Sequence, residues 1–230
     1  DDVDISEGMM KVFMDKSETF SMEDKMLQLL ENVDLSELKS LGVTGGEPFM
    51  TRKFQDLMEL INRKANPEKM FFWLNTNASI FPKQKMIDLL SQFGMVDLRL
   101  SNESVGKLSE YIRNGSKWND FDTNAKKWLE ASAGTGIKVQ CQATHNVWSI
   151  NQVNDFYNWA KSTGIDIFDS EAFTPIYANV SAVLNKDQLK ECYDQLESMP
   201  ESKTKNYVRK MLNKGQSQDR HEKALNEFKS

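Results

Sequence analysis

Two rhythms of apolar residues alternate along the chain: short continuous runs, and longer stretches with helical spacing. The runs are Leu41-Gly42-Val43, Met70-Phe71-Phe72-Trp73-Leu74, Val96-Asp97-Leu98-Arg99-Leu100, Ile137 to Ala143, and a segment within Ile165–Phe173. Their length and their Gly, Asn and Pro boundaries predict strands. Between them apolar side chains return every three or four residues. The sets are Met26, Leu27, Leu30 and Val33; Phe54, Leu57, Met58 and Ile61; Met86, Leu89, Leu90 and Phe93; Trp118, Phe121, Ala125, Trp128 and Leu129; and Val153, Phe156, Tyr157 and Ala160. That spacing lines one face of a helix. Ser21 with Asp24 forms a capping-box pattern, and Thr51 can cap the second helix. Pro82 suits a first helical turn, and Gly94 and Gly164 suit stops. A further helix is expected from Lys186 to Leu196. Strands recurring every roughly 25 to 40 residues with helices between them predict right-handed βαβ units in a parallel sheet, an α/β fold.

Each strand ends in small and polar residues: Thr44 to Glu47, Asn75-Thr76-Asn77, Ser101-Asn102, Thr144-His145-Asn146, and Thr174. In parallel α/β folds ligands bind at the carboxyl ends of the strands. Such clusters on one edge therefore predict a shared pocket. In the first cluster Gly45 and Gly46 lack a Cβ and let a ligand touch the backbone. Glu47 offers an anionic acceptor, and Pro48 ends the pairing. The alternative is a tight turn whose carboxylate faces the next helix amino terminus. The connection Asn102–Lys117 is long for a loop, which favours a functional role.

Composition narrows the classes. At 230 residues, 39% hydrophobic and 27% charged, the chain suffices for one substantial core. A net charge of -5 argues against a nucleic-acid surface. No apolar run reaches membrane-span length, and the amino terminus lacks a signal pattern. Cys141 and Cys192 are the only cysteines, too distant in sequence for a metal knuckle. They point to a reducing, cytoplasmic setting. The chain begins at Asp1 without Met, as in a processed or incomplete product. Most tryptophans fall on apolar stripes, with Trp148 the exception after a strand end. Lys203, Lys205, Arg209, Lys210 and Lys214, interleaved with Tyr207, Val208, Met211 and Leu212, read as an amphipathic helix with a solvated face. A patch for an acidic partner is the alternative.

Gly45-Gly46-Glu47-Pro48 after a strand resembles the second-strand motif of radical S-adenosylmethionine enzymes. Asn75-Thr76-Asn77 and Leu98-Arg99-Leu100-Ser101 resemble the segments that follow it. Glu110-Tyr111-Ile112-Arg113-Asn114-Gly115-Ser116-Lys117-Trp118 resembles a segment of the twitch-domain subgroup. The resemblance covers roughly residues 38 to 190. It implies a partial (β/α)6 TIM-like barrel of parallel strands with outer helices. It also implies a [4Fe–4S] cluster held by a C-x3-C-x2-C loop after the first strand, S-adenosylmethionine on the fourth iron, and an external electron donor. The reaction implied is reductive cleavage of S-adenosylmethionine and hydrogen abstraction from a small-molecule or peptide substrate.

The resemblance assigns Gly45, Gly46, Glu47, Thr76, Asn77, Ser101 and Arg113 to the cofactor. Glu47 and the glycines take its ammonium, Ser101 its ribose or carboxylate region, and Arg113 its carboxylate, in two-point fashion. Thr144, His145 and Asn146 border the substrate space. Plainer roles stand beside these: a strand-end hydroxyl for Ser101, loop backbone partners for Thr76 and Asn77, a solvated arginine, a structural histidine. No metal ligand is expected, because the only other histidine, His221, lies in the tail.

No C-x3-C-x2-C occurs in the chain. Residues 1–185 therefore read as a truncated barrel core lacking its first strand and cluster loop, and 186–230 as an incomplete twitch extension. The cluster would belong to an intact parent, and this chain alone would be inactive. The rivals are a degenerate, cluster-less barrel that binds a nucleoside or peptide, and an unrelated phosphate-binding barrel. The second of these calls for glycine-rich nests at later strand ends, which the sequence lacks.

Overall fold

In the computed structural model, which describes residues 22–172, 178–213 and 226, the apolar runs become five strands. These are β1 (Ser40–Val43), β2 (Phe71–Thr76), β3 (Met95–Ser101), β4 (Ile137–His145) and β5 (Asp166–Glu171). They form one parallel sheet in sequence order. The helices between them are α1 (Met22–Asn32), α2 (Arg52–Lys64), α3 (Gln84–Leu90), α4 (Gly106–Ile112), α5 (Trp118–Ser132) and α6 (Val153–Thr163). After β5 come α7 (Val180–Val183), α8 (Lys186–Glu197) and α9 (Lys203–Leu212). The result is an α/β fold, a parallel sheet with surrounding helices that makes an open section of barrel.

Local chemistry explains most boundaries. The Thr51 hydroxyl accepts from the Lys53 amide and starts α2. Gly164 ends α6 in the left-handed conformation at φ 81°. Asn185 and Gln188 close a capping box on α8, which starts at Lys186 as expected, although sequence patterning did not single out the cap. Two expectations need correction. Pro82 does not open a helix, because α3 begins at Gln84 with Lys83 in the cap position. The Asn102–Lys117 connection is not a structureless loop, because α4 occupies its middle. Ser21, Phe173, Thr174, Lys214 and His221 lie outside the described residues.

The two faces of the sheet differ. Phe72, Leu74, Val96, Leu98, Leu100, Val139 and Cys141 point to one face and are buried. Phe54, Met58 and Ile61 of α2, Leu90 of α3, Trp128 of α5 and Phe156 of α6 complete this core. Each fully buried side chain of this size contributes about 1.5–3 kcal/mol. The registers put Trp73, Asn75, Asp97, Arg99, Ser101, Gln140, Gln142, Thr144, Phe168 and Ser170 on the opposite face. Parallel sheets ordinarily bury both faces behind apolar side chains. Here the second face is polar and mostly half-exposed, as a sheet curved around a ligand space requires. At its edge the Trp73 indole lies against Gly42 of β1, and a Cβ at Gly42 would collide with it. A second, smaller core joins Ile150 and Val153 to Val180, Leu196, Val208 and Met211 of the later helices.

Candidate cofactor-binding rim

The chain leaves β1 through Gly45 and Gly46, at φ 89° and 53°, a region that side chains with a Cβ rarely adopt. This turn sets Glu47 at the cap of a short 3-10 turn, Pro48–Met50. Its carboxylate is held from three sides. The Thr76 hydroxyl donates to Oε1 at 2.7 Å, the Asn77 amide to Oε2 at 2.7 Å, and the Phe49 amide to Oε1 at 3.3 Å. Thr76 Oγ1 also accepts from the Ala78 amide at 3.0 Å. Ala78 itself has φ 53°, and Asn124 of α5 holds its carbonyl at 2.8 Å. The end of β2 is thus fixed by α5, and through Thr76 and Asn77 it fixes Glu47. Oε1 takes two donors and Oε2 one, which leaves Oε2 able to accept another. Among the described residues, chain neighbours aside, nothing lies within 4 Å of where a Cβ would stand on Gly45 or Gly46. A cavity of about 440 Å³ adjoins this turn, lined by Val43, Gly45, Gly46, Glu47, Phe54 and Leu57 among others.

The end of β3 is equally organised. Asn102 Oδ1 accepts from the Glu103 amide at 2.9 Å and the Ser109 hydroxyl at 3.0 Å, which seats α4. Buried Glu103 accepts from Arg113 Nε at 3.2 Å and Nη2 at 2.6 Å. Arg113 is therefore not a solvated loop arginine: it sits at the end of α4 with a buried carboxylate as counter-ion. Its Nη1 has no partner among the described residues. Glu103 was missed in the sequence, where one acid in a polar stretch carries no signal.

At the end of β4 the predicted residues part company. Thr144 stays on the open face, 3.1 Å from the Ser170 hydroxyl. Asn146 is consumed by its own turn: its Oδ1 accepts from the Trp148 and Ser149 amides, and its Nδ2 donates to the Thr144 carbonyl. His145 lies on the opposite face, wholly buried, with Nε2 2.8 Å from Asp169 Oδ1. Asp169 Oδ2 in turn accepts from the Thr204 hydroxyl of α9 at 3.0 Å, and the Tyr207 ring lies 6.1 Å from His145. Gly45, Gly46, Glu47, Thr76 and Asn77 thus come together, Ser101 and Thr144 share the open face, and His145 and Asn146 are engaged elsewhere.

The cysteines do not suit an iron–sulfur cluster. Burial pushes the Cys141 thiol far up, and its Sγ lies 3.6 Å from the Asn102 carbonyl. Burial, then the charge of Glu191, pushes Cys192 up to about 11. Both are thiols where a cluster needs thiolates. Among the described residues no group of three or more His, Cys, Asp or Glu side chains could hold a metal ion. Among them, too, no helix is long and apolar enough to cross a membrane.

No family model and no curated protein matches the chain. Solved structures do. Native anSMEcpe with bound AdoMet is 16% identical with a TM-score of 0.53, over 84% of this chain and 52% of that one. Native anSMEcpe with bound AdoMet and Kp18Cys peptide is 15% identical with a TM-score of 0.53, over 76% and 49%. Streptococcus suis SuiB bound to S-adenosylmethionine is 17% identical with a TM-score of 0.48, over 74% and 35%. The chain spans about half, or less, of the solved chains it matches. At such identities the likeness is one of fold: the parallel sheet and outer helices of this chain are laid out as in anSMEcpe with AdoMet bound.

Proposed function

We propose that this chain is the core of a radical S-adenosylmethionine oxidoreductase barrel, and that its rim at Gly45-Gly46-Glu47 binds the amino acid end of S-adenosylmethionine. The observation that carries this is the Glu47 carboxylate, fixed by Thr76, Asn77 and Phe49 with one acceptor position spare beside two open glycines. An anion held in place receives an ammonium with little reorganisation. The AdoMet bound to anSMEcpe, on the same fold, supports the reading.

Each residue then has a task. Glu47 Oε2 accepts from the cofactor ammonium, and the backbone around Gly45 and Gly46 lies against it. Thr76 and the Asn77 amide keep the carboxylate aimed. Arg113, anchored on Glu103, turns Nη1 to the cofactor carboxylate. Ser101 faces the ribose, and Thr144 borders the substrate, a small molecule or a peptide. In an intact parent with a cluster and an electron donor, one-electron cleavage of the bound S-adenosylmethionine would supply the 5′-carbon that takes a hydrogen atom from the substrate. The described thiols do not fit a cluster, so the chain by itself is a binding core without the reductive step. Of the described residues, those up to 185 are the barrel part and those from 186 a helical extension, in a cytoplasmic protein that acts on neither membrane nor nucleic acid.

Calorimetric titration with S-adenosylmethionine tests this. The wild type binds weakly, with a Kd of roughly 0.1–1 mM, equivalent to about 4–5.5 kcal/mol. Glu47→Gln weakens binding by about tenfold or more, as loss of a charge-assisted hydrogen bond predicts. The analogue with hydroxyl in place of the amino group binds the wild type equally poorly. Equal affinity of wild type and Glu47→Gln would overturn the assignment. Brown protein containing iron and sulfide would overturn the statement about the cluster.

A further inference from the structure

The open face of the sheet carries a second constellation, formed by β3, β4 and β5. Arg99 Nε and Nη2 both donate to Asp97 Oδ2, at 2.9 and 2.6 Å, and Gln140 Nε2 donates to Asp97 Oδ1 at 2.7 Å. The guanidinium reaches across β4 and lies 4.2 Å from the centroid of the Phe168 ring on β5. Asp97 is buried and the Arg99 side chain is 23% exposed, so the pair is pinned, close to neutral as a unit, and reachable.

Hydrogen-bonding capacity is left over around it. Arg99 Nη1 has no partner among the described residues. Asn75 Oδ1 and Gln142 Oε1 are buried acceptors that also lack one. Gln142 pairs with Phe168 on the same face and so lies beside the guanidinium, while Asn75 shares that face from β2, on the other side of the Arg99 backbone. An unfilled buried polar atom costs about 1–3 kcal/mol, and such exceptions point to a missing partner.

We propose that this constellation is a binding site for an amide group of the substrate, with Arg99 the specificity-determining residue. The amide carbonyl accepts from Arg99 Nη1, and its N–H donates to Gln142 Oε1. A carboxylate matches less well. Asp97 already balances Arg99, and the spare acceptor on Gln142 would face a group with no proton to give. An ammonium meets a site without net negative charge. The proposal rests on the reading above only in taking the open face as the substrate side.

NMR titration of the isotope-labelled chain tests it, following the Arg99 Nε–H and the side-chain amides of Asn75, Gln140 and Gln142. The probes are N-acetylglycine N-methylamide, acetate and methylammonium. The amide shifts these signals saturably, with a Kd about tenfold or more below those of the two ions, a difference of about 1.4 kcal/mol. Gln142→Leu, which keeps the ion pair, weakens the amide severalfold and leaves acetate unchanged. Arg99→Met abolishes the amide response. If Arg99→Met fails to fold, Gln142→Leu and the probe ranking still decide. Acetate binding as tightly as the amide, or shifts clustered away from these side chains, overturns the proposal. S-adenosylmethionine titration of Gln142→Leu stays at the wild-type value, so failure here and failure of the Glu47 assignment are read separately.

Discussion

Thr76 spends one hydroxyl on two partners, donating to Glu47 and accepting from the Ala78 amide. Thr76→Val keeps the shape and removes both. We expect a loss of about 1–3 kcal/mol in urea denaturation together with weaker S-adenosylmethionine binding; an unchanged midpoint would contradict the geometry. Arg113→Met tests the neighbouring pair. It leaves the Glu103 carboxylate buried without its counter-ion, which should cost about 3–5 kcal/mol at neutral pH. The expected signature is a lower urea midpoint with an unchanged fold, and an unaltered midpoint would contradict the buried pairing. Asp122 carries the pH dependence here. Burial pushes its carboxyl up, but hydrogen bonds from Lys126 and Trp159 outweigh this and hold it below its usual value. Its stabilisation is present above the unfolded pKa and is lost as pH falls through the folded one. Asp122→Asn should flatten that acid limb. The motif named Glu47, Thr76 and Asn77 in the sequence, and the structure brings the three together. His145 was not, because a one-residue difference in position along a strand reverses the face, and only the pairing with Glu171 settles it.

Elements were read well where one period dominated. β2, β4, α2 and α6 lie within a few residues of their expected positions, because apolar spacing and Thr51 or Gly164 mark their ends. α4 went unread because its Gly-Lys-Leu-Ser-Glu-Tyr-Ile has too few apolar positions for a stripe and no side-chain cap. Its place comes from Asn102 and Glu103, contacts that exist only after β3 has formed. α9 offers an element-scale test. Ser202 Oγ accepts from the Lys205 amide at 3.0 Å at its first turn. Ser202→Ala should therefore cost about 0.5–2 kcal/mol, seen as a lower thermal midpoint. It should also speed amide exchange in α9, whose Thr204 and Tyr207 meet Asp169 and His145. Exchange that slows or stays the same would mean that α9 does not depend on this cap.

For the molecule as a whole, the decisive feature is a parallel sheet with one apolar face and one polar face. Alternation such as Val96-Asp97-Leu98-Arg99-Leu100 shows it in the sequence, but the partners Gln140 and Phe168 come from strands more than forty residues away. Truncation should separate the faces. Leu98→Ala, on the wholly buried side, should lose about 2–5 kcal/mol. Gln142→Leu, on the open side, should change stability far less. The central claim is that Glu47 receives the ammonium of S-adenosylmethionine. A crystal structure of the chain grown with S-adenosylmethionine measures this directly. The account predicts the cofactor nitrogen at about 2.7–2.9 Å from Glu47 Oε2, with Thr76 and Asn77 still in place. A cofactor bound elsewhere, with water on Glu47, would contradict it.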